Sequence, residues 1–598
     1  MAGLLAASYL AVAVAALGDY GPTWDTSVFE FPYGRTLIDY LRSVLPGDPP
    51  VESAPRAPHP YLPAVQGAWF HAYPVGSMLS ELGCRLLWTW LGVLDAIAAH
   101  HVVVPVSTAL LLVAMIWFLG RRAGLAAGVG AALLLVLSPR YFAHSCNNLK
   151  DAPEAALYGF AVLAGARALH RGGRAAWALA GCAVGLALAQ KANALFVPMQ
   201  LAAYFALAKL LTWRAAGRAP RWSWRGLGYA TASFVVTYLA VSPAFWNDTF
   251  QGLATHFSYI FSVGTVAELA SQLEPRPLAA WDGTAHAAWT TPLPVLGLAL
   301  VGLVTPRAPA TARLLLALWV VVPVGRTALP GMRNFDGVRH FLEFYPPLCM
   351  LAGLGLATIA GWLRGRRRSL ALLWLAALLP GGIATWRTHP HGICYFNACV
   401  GGLGGAQQRG IPEATDYWGS AYWQGAAWLT RQASAEANVL VPVAPHIVRC
   451  LQPVRLRPDL RLVRGGEQDT RHALYVMYIT RKNWYTRYVR DLEQTNKPVH
   501  EIRVQGGTIL RIHRFDNGGD ADVQWAAWDR DRAALAARGR MLKPVENDPA
   551  RLAQVASIMV RAADLGPGTA ARRLRALLPE AAPADLAEVL WLYGAEGG

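Results

Sequence analysis

A few charged residues stand where the surrounding apolar sequence gives little reason for charge. Asp25 follows an apolar run at 2–18 by a few residues, in a loop with Tyr20, Trp24, Phe29, Phe31 and Tyr33, and Glu30 and Arg35 lie close by. Asp151 opens a later run in Lys150-Asp151-Ala152-Pro153, and Lys191 stands between two runs in Gln190-Lys191-Ala192-Asn193. Arg140, Lys150 and the pair Arg339-His340 lie at the ends of others. An ionised carboxylate can take the proton of an attacking hydroxyl, and cations can hold a phosphate and stabilise charge that develops on it. A charge at membrane depth costs on the order of 2.5–3.5 kcal/mol, so Lys191 needs a ligand, a partner or a route to the interface. Plainer roles exist for each: lysines snorkel, basic residues at helix ends bind lipid phosphates, and an Asp before Ala-Pro makes a good helix N-cap.

The elements that must position these residues are membrane helices. Of 598 residues, 54% are hydrophobic and only 15% charged, with a mean hydropathy of +0.28, outside the range of an ordinary soluble domain. Apolar runs at 2–18, 102–120, 124–138, 152–169, 175–190, 194–211, 227–243, 292–305, 312–329, 341–360 and 370–386 predict about eleven spans. The net charge of +17 would suit nucleic acid, but the positions of the basic residues give it another meaning. Basic turns at Arg121-Arg122, 171–174, 214–225, 307–313 and 364–368 contain no Asp or Glu, and acids gather in the alternate loops. The positive-inside rule then puts those turns in the cytoplasm, with no nucleic-acid partner implied, and the charged candidates on the outer face of a cell (inner) membrane. Residues 2–18 lack a basic start and a clear cleavage site, so they are read as a retained span. Seven scattered cysteines show no metal-type spacing and cannot all pair.

The expected organisation is a transmembrane domain over 1–386, with a long first outer loop at 19–101 that carries amphipathic stretches. An extracytoplasmic α/β domain follows over 387–520, with strands at 438–443, 473–478 and 500–515 and a helix at 484–493, and then a helical tail over 521–598. Asp416-Tyr417-Trp418-Gly419 reads as the junction between the last span and the outer domain.

The order of these features resembles glycosyltransferase family 39, the dolichyl-phosphate-mannose protein mannosyltransferase-like group of the GT-C superfamily. The residues concerned are the loop-one Asp25; His71-Ala72-Tyr73-Pro74; Pro139-Arg140-Tyr141-Phe142-Ala143-His144 through Lys150-Asp151-Ala152-Pro153; and Gly185-Leu186-Ala187 before Lys191. The likeness continues through 289–294, Gly337-Val338-Arg339-His340-Phe341 with Pro346-Pro347, and Tyr395-Phe396-Asn397, and covers roughly residues 1–450. It implies a polyprenyl-phosphate sugar donor, an outward-facing site in the membrane and Asp25 as catalytic base, with inversion at the sugar. Asp151 is a second catalytic candidate, and Glu30, Arg35, Arg140, Lys150, Lys191, Arg339 and His340 are candidates for binding substrate. No cofactor is expected, although a divalent ion between Asp25 and Asp151 stays open, and the acceptor is unspecified. The chain departs from the group in having Asp25-Thr26 where Asp-Glu is common, and in the broken His-Pro-Pro-Leu pattern after loop one. Two rival readings remain: a polytopic lipid or sugar transporter, and a non-catalytic partner with a GT-C-like scaffold.

Overall fold

The computed structural model describes residues 1–598 except 27–30, 45–72, 215–219, 247, 263–281, 330–335, 453, 464–471, 546–547 and 596–598. Glu30 and His71 of the sequence reading therefore lie outside the described residues.

Every apolar run named above lies on a helix, as a backbone in lipid must bond its own N–H and C=O groups. Six helical stretches, Ala2–Asp19, Ala96–Ala123, Ala192–Trp213, Ala310–Ala328, Arg339–Trp362 and Arg367–Thr388, are each long and apolar enough to cross a membrane alone. Two further pairs qualify as bent spans: Leu125–Val136 with Pro139–Asn147, at 72°, and Gly283–Thr290 with Leu293–Val304, at 111°. Among the described residues the count is therefore six, or eight with the bent pairs, where the sequence suggested about eleven. The remaining runs form helices that are charged or short. Asp151–Arg171 has 21 residues but carries Asp151 and Glu154 in its first turn, while Arg174–Gln190 and Trp224–Ala240 have 17 each. The bends follow proline, with Pro139 and Pro292 standing where a helix must restart.

Helices in a bilayer approach closely where side chains are small. A Cβ added at Gly302 would stand 1.8 Å from the Leu351 carbonyl oxygen, and one at Gly355 2.0 Å from that of Leu298. The helices Leu293–Val304 and Tyr345–Trp362 thus pack backbone to backbone. The second of these follows directly on Arg339–Phe344, so this packing sets the depth of Arg339.

Outside the bundle lies a five-stranded mixed sheet: β1 Asn438–Leu440, β2 Arg461–Val463, β3 Leu474–Ile479, β4 His500–Val504 and β5 Gly507–Phe515, in the order β2-β1-β3-β5-β4. β1 runs parallel to β2 and β3, and β5 antiparallel to β3 and β4. β3 is buried along its whole length, which marks it as the centre of the layer. β2 has no counterpart in the sequence reading, since three residues, Arg461, Leu462 and Val463, are too few to show an alternating pattern. The helix expected at 484–493 forms over Arg487–Thr495, where Thr486 caps it. The tail packs helices Gly519–Leu542, Pro549–Val560, Pro567–Leu577 and Pro583–Leu592 around a core that includes Val555, Leu574 and Val589. Arg487 and Arg490 donate to the carbonyls of Trp591 and Leu592, at 3.1 and 2.8 Å, and fasten this bundle to the outer domain.

Gly302→Ala and Gly355→Ala are each expected to destabilise the bundle, by about 1–3 kcal/mol for an overpacked contact. Thermal unfolding in detergent checks this, with Gly297→Ala, at which a Cβ meets nothing within 4 Å, expected to match wild type.

Candidate active site

The loop after the first helix is held by residues 418–423. The Trp24 N–H donates to the Trp418 carbonyl at 2.9 Å, the Trp423 indole donates to the Gly18 carbonyl at 3.0 Å, and a Cβ at Gly21 would meet Trp423 at 2.8 Å. Thr26 Oγ accepts the Thr23 N–H at 2.6 Å, closing a small turn with Asp25 inside it.

Lys150 and Asp151 are presented by the break before the helix Asp151–Arg171. Asn148 shapes that break: its Oδ1 accepts the N–H of Asp151 at 2.7 Å and of Lys150 at 3.2 Å, and its Nδ2 donates to Asp151 Oδ2 at 2.9 Å. Asn148 thus does the work that the sequence reading offered Asp151 as an N-cap. Asp151 is the first helical residue, and its carboxylate turns away to ion pairs. Gln190 braces the same break, accepting the Gly76 N–H at 2.7 Å and donating to the carbonyls of Leu149 and Lys150 at 2.8 and 3.1 Å. The next residue, Lys191, leaves its helix in an extended conformation and reaches back to Asp151.

Arg339 arrives from the opposite side. Two left-handed residues, Asp336 at φ 57° and Gly337 at φ 62°, turn the chain into its short helix. Glycine is required at 337, because a Cβ there would press on Arg140 Nη1 and the Tyr417 ring, both at 3.1 Å.

These elements meet in one chain of ion pairs. Asp25 Oδ2 lies 3.0 Å from Lys150 Nζ and 3.1 Å from Arg339 Nη1. The same Nη1 lies 3.3 Å from Asp151 Oδ2, whose Oδ1 is 2.6 Å from Lys191 Nζ. Arg339 Nη2 binds Asp336 Oδ2 at 2.5 Å, and Asp336 Oδ1 binds Arg481 Nη2 at 2.5 Å. Arg339 also lies over the Trp418 ring at 5.0 Å, and Lys150 over the Tyr73 ring at 4.7 Å. Asp151 is fully buried, whereas the Asp25 side chain keeps 14% exposure and is the carboxylate a substrate could reach.

Burial by itself would raise the Asp25 carboxyl, but Lys150 and then Arg339 outweigh it and hold it below the ordinary carboxylate value. Burial would likewise lower the Lys150 ammonium, and Asp25 raises it above its usual value instead. Both groups are charged at neutral pH.

Of the sequence candidates, Asp25, Asp151, Lys150, Lys191 and Arg339 converge. His340 contributes its carbonyl, which accepts from Lys191 at 3.3 Å and from Asn193 at 2.7 Å. Arg140 is fully buried but stands apart; it donates to the Tyr395 carbonyl at 2.9 Å and makes no ion pair among the described residues. Arg35 pairs with Asp39 at 3.9 Å on an exposed helix face. Tyr417 and Trp418, read from the sequence as a junction, also frame the site. Asp336 and Arg481 were missed as partners. Asp336 was visible only as one loop acid among several, and Arg481 lies beyond the motifs, after β3, with nothing in its neighbourhood to mark it.

Residues 99–239 match the family model of the dolichyl-phosphate-mannose-protein mannosyltransferases, the family read from the order of motifs. Among solved structures, the chain is similar to ArnT from Cupriavidus metallidurans in the apo state, at 13% identity over 85% of this chain and 97% of that one, with a TM-score of 0.46. It is also similar to the archaeal oligosaccharyltransferase AglB from Archaeoglobus fulgidus, in complex with an inhibitory peptide and a dolichol-phosphate, at 13% identity over 79% and 69%, with a TM-score of 0.40. A third likeness is to the arabinofuranosyltransferase AftD from Mycobacteria, at 14% identity over 86% and 41%, with a TM-score of 0.32. No curated protein matches the sequence.

If the cation beside Asp25 holds its carboxyl down, Lys150→Gln leaves burial less opposed and that carboxyl rises. The acid limb of the pH profile of kcat/KM, which reports the free enzyme, is then expected to move to higher pH. A limb that stays in place in Lys150→Gln would show that Lys150 does not set the ionisation of the group this limb reports.

Proposed function

We propose, from the premise that this is a membrane glycosyltransferase of the GT-C type, that it transfers a sugar from a polyprenyl-phosphate donor to an acceptor hydroxyl on the extracytoplasmic face, with inversion. One observation carries the reading: a partly exposed carboxylate, Asp25, shares its oxygen with two cations that a donor phosphate could also reach.

The ion-pair chain contains four cations (Lys150, Lys191, Arg339, Arg481) and three carboxylates (Asp25, Asp151, Asp336), a surplus of one positive charge. A sugar phosphodiester carries one negative charge, which that surplus matches. Its phosphate would draw Lys150 and Arg339 from Asp25, so that donor binding itself frees the base. Asp25 then takes the acceptor's hydroxyl proton as the acceptor oxygen bonds to the anomeric carbon. The bond from that carbon to the phosphate oxygen breaks, its electron pair stays on phosphate, and the added charge is met by Lys150 and Arg339. Asp151 acts from behind, holding Lys191 and Arg339 in place. In this reading Lys150, Arg339 and Lys191 supply the positive charge around Asp25 and Asp151, and no step calls on a divalent ion between the two carboxylates.

A transporter would also bury charge in a helical bundle, but it has no need of a base beside a phosphate site, and turnover separates the two. Asp25→Asn removes the proton acceptor without changing shape, and transfer from a polyprenyl-phosphate sugar is expected to fall by about 10²- to 10⁴-fold while the protein still folds. Release of free polyprenyl phosphate is the readout, and undiminished release would remove Asp25 from the base role.

The outward placement has its own test. In a variant lacking the exposed native Cys399, a cysteine at the exposed position 523 is expected to react with a membrane-impermeant thiol reagent added outside, and one at Arg366 is not. The opposite pattern would turn the site to the cytoplasm.

A further inference from the structure

Arg481 belongs to the outer domain, two residues past the end of β3, and yet it closes the ion-pair chain of the membrane site. It is 3% exposed. Its Nη1 donates to the Tyr417 carbonyl at 2.6 Å, its Nη2 binds Asp336 Oδ1 at 2.5 Å, and its guanidinium lies over the Trp24 ring at 4.8 Å. It thereby contacts both Trp24, the residue just before Asp25, and Asp336, the carboxylate that binds Arg339.

Asp336 has two oxygens and divides them between two guanidinium groups, Oδ2 to Arg339 through Nε and Nη2 at 3.0 and 2.5 Å, and Oδ1 to Arg481. A carboxylate held at one oxygen can pivot; held at both, it presents a fixed edge. Arg339 is planar and bonds Oδ2 of that fixed carboxylate through two nitrogens, so its third nitrogen, Nη1, is aimed by the same contact toward Asp25 and Asp151. The aim of the cation nearest Asp25 is therefore traceable to a residue anchored on the outer sheet.

We propose that Arg481 is a positioning residue for the donor phosphate, acting through Asp336 on Arg339, so that the outer domain sets the anion affinity of the membrane-embedded site. The inference rests on the reading of the Arg339 cluster as a phosphate site. It assigns the outer domain a part in donor binding, for which neither its fold nor its sequence provides a motif.

The experiment is a double-mutant cycle on the full chain in detergent, with undecaprenyl phosphate as the probe and its dissociation constant as the readout. Arg481→Gln is expected to weaken binding about tenfold, the scale of one charge-assisted hydrogen bond. In the Asp336→Asn background the same change is expected to cost less than about twofold, since the route through Asp336 is already cut. An equal loss in both backgrounds would mean that Arg481 meets the phosphate directly or acts by charge alone, and would overturn the positioning role. An affinity within about twofold of wild type for Arg481→Gln alone would overturn it too, while leaving the phosphate site standing. Wild-type protein that does not bind undecaprenyl phosphate would remove the phosphate site and this inference together. Should Arg481→Gln fail to fold, Arg481→Lys, which keeps the charge but cannot span both Tyr417 and Asp336, enters the same cycle with the same two outcomes.

Discussion

The guanidinium of Arg339 is the contact on which the site depends. Three carboxylates from three parts of the chain, Asp25, Asp151 and Asp336, converge on it in a setting that is almost wholly buried. Bringing ions out of water costs several kcal/mol each, and leaving one of them unpaired costs about 3–5 kcal/mol. The first outer loop, the break before Asp151 and the turn before Arg339 are therefore held in register by the same energy. A cluster of this kind contributes little net stability over an apolar core, and its value lies in the one arrangement it permits.

The surrounding architecture serves that arrangement. Backbone contact at Gly302 and Gly355 sets the helix behind Arg339, and Asn148 and Gln190 pin the break that presents Lys150 and Asp151. Trp418 and Tyr417 provide ring and carbonyl surfaces against which Arg339 and Arg481 settle. Asp25 is the least enclosed member, and the helix at Asp151 carries two acidic residues, Asp151 and Glu154, in its first turn. Asp151, in the first turn of the helix Asp151–Arg171, is the carboxylate that this helix brings to the site.

Several sequence expectations changed once distances were known. Asp151 offered an attractive N-cap by residue type, but its carboxylate is worth more to two buried cations than to a helix end, and Asn148 three residues earlier takes the turn. Arg140 sits in the richest motif of the family resemblance, and its guanidinium packs against Phe396 and bonds the Tyr395 carbonyl instead of joining the ion pairs. Asp416 accepts four hydrogen bonds from residues 418–421, three from backbone N–H groups and one from the Ser420 hydroxyl. The segment read as a junction also forms a wall of the site, with Trp418 beneath Arg339.

What the sequence determined by itself was whatever rests on local pattern: hydrophobic runs long enough to demand helices, the alternation of basic and acidic loops, alternating strands in the outer domain, and charges too costly at their depth to be incidental. Those signals, together with the family resemblance, put Asp25, Lys150, Asp151, Lys191 and Arg339 among nine candidates, beside Glu30, Arg35, Arg140 and His340, most of them near helix ends. Only the tertiary structure decided which charges meet, because an ion pair depends on a distance of 3 to 4 Å between residues that can lie hundreds of positions apart. Asp25 and Arg339 are separated by 314 positions, and Asp336 and Arg481 by 145. Arg481 shows the limit most plainly, since its side chain has a role only after the outer sheet has folded and docked beside Trp24.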